Sequence, residues 1–197
     1  MSISLSKGSR ISLEKRDGSN LTNIAMGLGW DPAKSGGGLF GRFGGGGSVT
    51  NIDLDASCIA FDANKKIVDT VWFRNKSTFS GAITHSGDNL TGEGEGDDET
   101  ILLRLERVPQ NVQSIVFTIN SYQGQKFDKI SRAYCRVIDT SNNNEVAKYD
   151  ITELGHYTGM IVASIYRNGD KWKVRAIGEL ANGRVVGDIA HIAAQYA

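Results

Sequence analysis

Residues 87–99 read Gly-Asp-Asn-Leu-Thr-Gly-Glu-Gly-Glu-Gly-Asp-Asp-Glu, with six carboxylates (Asp88, Glu93, Glu95, Asp97, Asp98 and Glu99) inside twelve positions and no Lys or Arg among them. Carboxylates packed this closely repel one another, so a cation is their natural partner. Calcium suits the run best. It accepts many oxygen ligands in flexible geometry, and the four glycines of the segment let backbone carbonyls turn inward beside the side chains. Asp88 and Glu99 have the spacing of the first and last ligands of an EF-hand loop. The resemblance ends there, because Leu90 and Gly92 stand where oxygen ligands are needed and Glu93 stands where the sharp turn demands glycine.

A second acidic pair lies upstream. Residues 51–61, Asn-Ile-Asp-Leu-Asp-Ala-Ser-Cys-Ile-Ala-Phe, read as a strand. Alternation puts Ile52, Leu54, Ala56, Cys58 and Ala60 on one face and Asp53, Asp55, Ile59 and Phe61 on the other, with about 6.6 Å of rise between the two aspartates. Two like charges on a core strand are costly to desolvate unless an ion pairs with them. They are therefore expected at the rim of the fold, meeting the 87–99 loop. The eight carboxylates together are enough for two neighbouring ions. On the residues alone, a solvated acidic loop and two aspartates at a strand end stand as the alternative. His85, beside the loop, reads as a surface residue, and Asp62 as part of a turn over residues 62–65. The histidines are dispersed and no Cys/His cluster has ligand spacing, which argues against a transition metal.

The elements that must position these groups are mostly strands. Apolar and branched runs over 68–73, 101–105, 112–119, 133–139, 146–151, 160–166 and 172–177 join the short alternations of Ile3/Leu5 and Ile11/Leu13. Asn168-Gly169 between two such runs is a strong hairpin signal, and residues 141–144 make a second turn. Ile189, Ile192, Ala193 and Tyr196 recur at helical spacing. The expectation is a mostly β chain, an antiparallel β-sandwich with long loops and a short C-terminal helix, forming a single domain over residues 1–197. Residues 35–48 hold eight glycines in fourteen positions and read as a flexible loop within that domain.

Composition narrows the function classes. The chain has 22 Lys and Arg against 22 Asp and Glu; setting the six loop acids aside leaves 16 acidic residues and a mildly basic remainder. Basic residues are scattered with no Lys/Arg run longer than a pair, so no nucleic-acid partner is expected. No run of about 18 apolar residues occurs, so no membrane span is expected. The first residues, Met-Ser-Ile-Ser-Leu-Ser-Lys-Gly, lack the apolar stretch of a secretory leader, and a cytoplasmic location is expected. Cys58 and Cys135 sit in strand-like runs and read as small buried hydrophobes.

The segments Gly27-Leu-Gly-Trp-Asp31, Asp53-Leu-Asp-Ala-Ser57, His85-Ser-Gly-Asp-Asn-Leu-Thr-Gly92 and Gly96-Asp-Asp-Glu99 together resemble the TerD family of tellurium-resistance and general stress proteins. The opening Ile-Ser-Leu-Ser-Lys-Gly, Phe127 after Gly124-Gln-Lys126 and the Ala133-Tyr134 strand fit as well. The resemblance implies a β-sandwich that binds calcium, with Asp53, Asp55, Asp88, Asn89, Asp97, Asp98 and Glu99 as the matching metal positions. It implies a non-catalytic stress-response adaptor or scaffold. Its partners would be other tellurite-resistance proteins, a membrane-embedded one among them, which would bring the chain to the inner membrane's periphery. The 35–48 segment is longer and richer in glycine than the family's usual link. Two other functions are open: a calcium-dependent module for a small anionic ligand or phospholipid head group, and an enzyme reducing an oxyanion, which needs a reactive thiol pair or cofactor that the sequence does not display.

Overall fold

The computed structural model describes residues 2–15, 17–32, 53–87 and 96–197. The glycine-rich segment 35–48 lies outside them. Among the described residues the chain forms β1 (Ile3–Leu5), β2 (Arg10–Ser12), β3 (Asn23–Pro32), β4 (Leu54–Phe61), β5 (Ile67–Val71), β6 (Ser77–Thr78), β7 (Ile83–His85), β8 (Glu99–Arg104), β9 (Ser114–Ser121), β10 (Ile130–Asp139), β11 (Asn144–Ile151), β12 (Gly159–Asn168), β13 (Lys171–Ala181) and the helix α1 (Val186–Ala193).

The strands build two sheets. The first has the order β1-β11-β10-β3-β8-β7-β6, the second β2-β13-β12-β9-β4-β5. All pairs are antiparallel except one: β1 runs parallel to β11 along the edge of the first sheet. Both hairpins expected from the turn residues form, β10–β11 and β12–β13, and Gly169 supplies the positive φ of 68° that the second turn requires.

The alternation of β4 is realised as the residues dictate. Leu54, Ala56, Cys58 and Ala60 face the first sheet and join Phe117 and Ile119 of β9, Met26, Leu28 and Trp30 of β3, and Ile101 and Leu103 of β8 in one core. Ile59 and Phe61 face the other way, under α1, where Val186, Ile189 and Ala193 cover them together with Val116 and Ile161. The second sheet is thus apolar on both faces, which is why β4 and β9 are buried along their whole length. Asp188 starts the helix by accepting hydrogen bonds from the backbone N–H of Arg184 and Val185 at 2.8 and 3.2 Å.

Strand β3 is the central element that the apolar pattern does not announce. Gly27 and Gly29 replace side chains on its outer face for a steric reason. A Cβ at Gly27 would lie 2.0 Å from the Asp97 carboxylate, and one at Gly29 would lie 2.4 Å from the Tyr134 ring. Both glycines leave room for side chains laid flat across the strand.

Candidate functional site

The Asp97-Asp98-Glu99 run enters β8 at the end of the first sheet nearest the start of β4, and its three carboxylates part company. Glu99 pairs in register with Leu28 and, like it, points between the sheets, where it is only 1% exposed. Its Oε2 accepts a hydrogen bond from the backbone N–H of Ala56 at 2.6 Å. Asp97 turns to the outer face and accepts from Arg136 Nε at 2.7 Å. That bond lies above Gly27, which pairs with Arg136 in register. Asp98 lies between them: its N–H donates to Leu28 O and its Oδ2 accepts from the Trp30 N–H, both at 2.8 Å.

His85 is not a surface residue. It is 6% exposed and shares with Glu99 the task of holding β4. Its Nδ1 accepts from the Gly87 N–H at 3.1 Å, so the ring hydrogen resides on Nε2. Nε2 donates to the Ala56 carbonyl at 3.1 Å and lies 3.3 Å from Glu99 Oε2. The strand β5 pairs with β4 only from Cys58 onward. At Ala56 the backbone N–H and C=O therefore find their partners in two side chains from the opposite sheet. Local charge in the sequence concealed this, since a histidine beside an acidic loop looks solvated until the topology places β7 inside.

Asp55 lies on the β4 face opposite Ala56, and Asp53 lies immediately ahead of the strand. Each is only 6% exposed, more enclosed than a rim position would be. Asp55 pairs in register with Asn120 of β9, whose Nδ2 donates to Gly183 O at 3.0 Å. Asp88 and Asn89 lie outside the described residues, as do Glu93 and Glu95. Among the described residues, no group of three or more His, Cys, Asp or Glu side chains is gathered closely enough to hold a metal ion by itself.

The electrostatics show crowding. Burial raises the Asp98 carboxyl above its ordinary pKa, the Trp30 N–H opposes this, and nearby Asp31 and Asp97 add to the rise. Tyr134, whose hydroxyl donates to Gly96 O at 2.5 Å, is pushed up to about 12 by burial first and then by Asp97. Asp31, Tyr134, Arg136 and His85 are the neighbours that sequence reasoning left out as participants. Asp31, His85 and Tyr134 each fall inside a segment that carries the family resemblance, whereas Arg136 falls in none. Oxygen donors of this kind suit calcium, and a carboxylate with one oxygen engaged by an N–H keeps lone pairs for a cation.

A two-sheet β-sandwich with acidic segments gathered at one end is the class of protein these features define. The chain belongs to the TerD family: the TerD domain matches residues 1–196. Over 187 residues it is 46% identical to the tellurium resistance protein TerZ of Serratia marcescens, covering 95% of this chain and 94% of that one. It is 43% identical to the stress response protein SCP2 of Bacillus subtilis, covering 96% and 98%, and 37% identical to the tellurium resistance protein TerD of Serratia marcescens, covering 100% and 97%. The fold is also that of a crystal structure of a TerD homologue from Streptomyces coelicolor A3(2), with a TM-score of 0.67 at 21% identity over 87% of this chain and 96% of that one.

Proposed function

We propose that this chain is a calcium-binding, non-catalytic stress-response protein of the tellurite-resistance type, acting in the cytoplasm as an adaptor or scaffold. What carries the reading is the burial of Asp53 and Asp55 at the start of β4, the end that Glu99 of β8 holds. Enclosing two carboxylates there is costly, and a divalent cation offsets that cost. Within the site the roles divide. Asp53, Asp55 and Asp98, with Asp88 and Asn89 of the adjoining segment, are the ligands for two ions. Glu99 and Asp97 act mainly as braces, one tied to Ala56 and His85, the other to Arg136. The names of the relatives support the tellurite and stress context, and the partners would be other proteins of that system, including a membrane-embedded one. No helix among the described residues is long and apolar enough to cross a membrane.

Thermal melts in calcium and in chelator test the proposal. At calcium one hundred times the dissociation constant, each site adds about 2.7 kcal/mol of stability. The shift should vanish in Asp53→Asn/Asp55→Asn. Superimposable curves with and without calcium would sink the idea.

A further inference from the structure

The outer face of the second sheet holds a second polar region, at the other end of β4 from the acidic segments. Roughly 20 Å of strand rise separates Asp55 from Phe61. α1 covers the middle of this face and stops short of the end. Beyond it, register sets residues from four strands side by side. Arg10 of β2 pairs with Arg175 of β13, Arg175 with Ser164 of β12, and Tyr166 of β12 with Ser114 of β9. The bulge in β12 between Ile161 and Ala163 makes this possible, because it returns Ser164 and Tyr166 to the outer face after Val162 and Ala163 have both pointed into the core.

These residues line a cavity of about 480 Å³, with Lys65 and Tyr196 on its walls. Lys65 is held by a bond from Nζ to Gln195 O at 3.2 Å. The Arg175 guanidinium lies 5.5 Å from the Tyr196 ring centre. Ser114 and Ser164 are 2% and 1% exposed, and their hydroxyls, like Arg175 Nε, lack a hydrogen-bond partner. Buried polar atoms are ordinarily satisfied. Among the described residues no carboxylate forms an ion pair with Arg10, Lys65 or Arg175. Asp62 lines the cavity, but its Oδ1 is engaged by the N–H groups of Asn64 and Lys66 in its own turn. Arg167 is spent on the carbonyls of Val108 and Val112 and on the Trp172 ring.

We propose that this cavity binds a small organic phosphate, a phosphate monoester on a hydroxylated body. The phosphate takes the charge of Arg10, Arg175 and Lys65, whose donors match its oxygens. The serine and tyrosine hydroxyls serve the rest, and the volume, larger than phosphate alone needs, lies in the range of small-molecule sites. The site stands apart from the acidic end and owes nothing to calcium.

Calorimetric titration of glucose 6-phosphate into the protein in chelator tests this, with glucose and inorganic phosphate as controls. Saturable binding is expected for the sugar phosphate, none for glucose, and weaker binding for inorganic phosphate. Arg175→Gln and Arg10→Gln should each weaken it by about tenfold or more, the worth of one charge-assisted hydrogen bond, while Asp98→Asn leaves it unchanged. Arg10 is exposed on an edge strand, so Arg10→Gln keeps the fold and decides alone if Arg175→Gln does not. Absence of saturable binding, affinity unaltered in Arg10→Gln, or inorganic phosphate binding as tightly as the sugar phosphate would each overturn the proposal.

Discussion

Asp98 carries a raised pKa, and the sign of its linkage to stability follows. The folded protein holds that proton to higher pH than the unfolded chain does. The associated stability is complete below the ordinary carboxylate value and is lost as pH rises through the raised one. In chelator, wild type should therefore lose stability relative to Asp98→Asn as pH rises across this interval; urea denaturation at a series of acid pH values measures the difference, and the opposite trend refutes the account. Glu99 works differently. Removing it strips a buried acceptor from the Ala56 N–H and a partner from His85. Glu99→Ala should cost about 3 kcal/mol in denaturant unfolding, and Glu99→Gln, which keeps an acceptor, clearly less. At this scale the sequence showed which residues were acidic but not where they pointed. Three adjacent acids suggested one site, yet Asp97 and Asp98 lie just ahead of β8, where strand alternation does not hold, so Asp97 and Glu99 reach different sides of the sheet, and Arg136, Asp97's partner, comes from a strand remote in sequence. His85 was misjudged for the same reason.

Among elements, β3 shows how a glycine pattern encodes a neighbour. Gly27→Ala would drive a methyl into the Asp97 carboxylate and disturb its bond to Arg136. A loss of about 1–3 kcal/mol is expected. Gly187, in the first turn of α1, has open space around it, and Gly187→Ala should gain about 0.5 kcal/mol. Paired thermal melts compare the two, and equal effects would discount the steric reading of β3. β4 and β9 were legible because strands buried on both faces read as short runs of apolar and branched residues, and α1 was legible by its 3.6-residue spacing. β3 was opaque because its outer face carries glycines instead of polar side chains. β6 and β7 are too short for a period to register. The basic cavity escaped notice because Arg10, Lys65 and Arg175 are far apart along the chain and only the fold gathers them.

For the molecule as a whole, the two thiols bear on any direct chemistry with an oxyanion. Cys58 and Cys135 belong to opposite sheets, both are buried, and burial pushes each thiol up to about 12. At neutral pH neither supplies a useful fraction of thiolate. A thiol reagent should label the native protein slowly, at a rate that denaturant accelerates strongly. Cys58→Ala/Cys135→Ala should retain whatever tellurite protection the wild type confers in a resistance assay; rapid native labelling or lost protection contradicts this.

The placement of the first two strands reaches beyond the finished fold. β1 finds its partner at residues 147–149 and β2 at residues 173–175, on different sheets. A ribosome delivers the chain from its N-terminus, so both strands emerge long before anything exists to receive them. Their backbone groups stay unmatched until those partners follow, and loop closure over such distances is slow. Polar residues alternate with Ile3, Leu5, Ile11 and Leu13 in this waiting segment, which lowers its tendency to pair with other strands. Each sheet is closed at this side only after residues 147–149 and 173–175 have been made, by strands that precede them by more than a hundred positions.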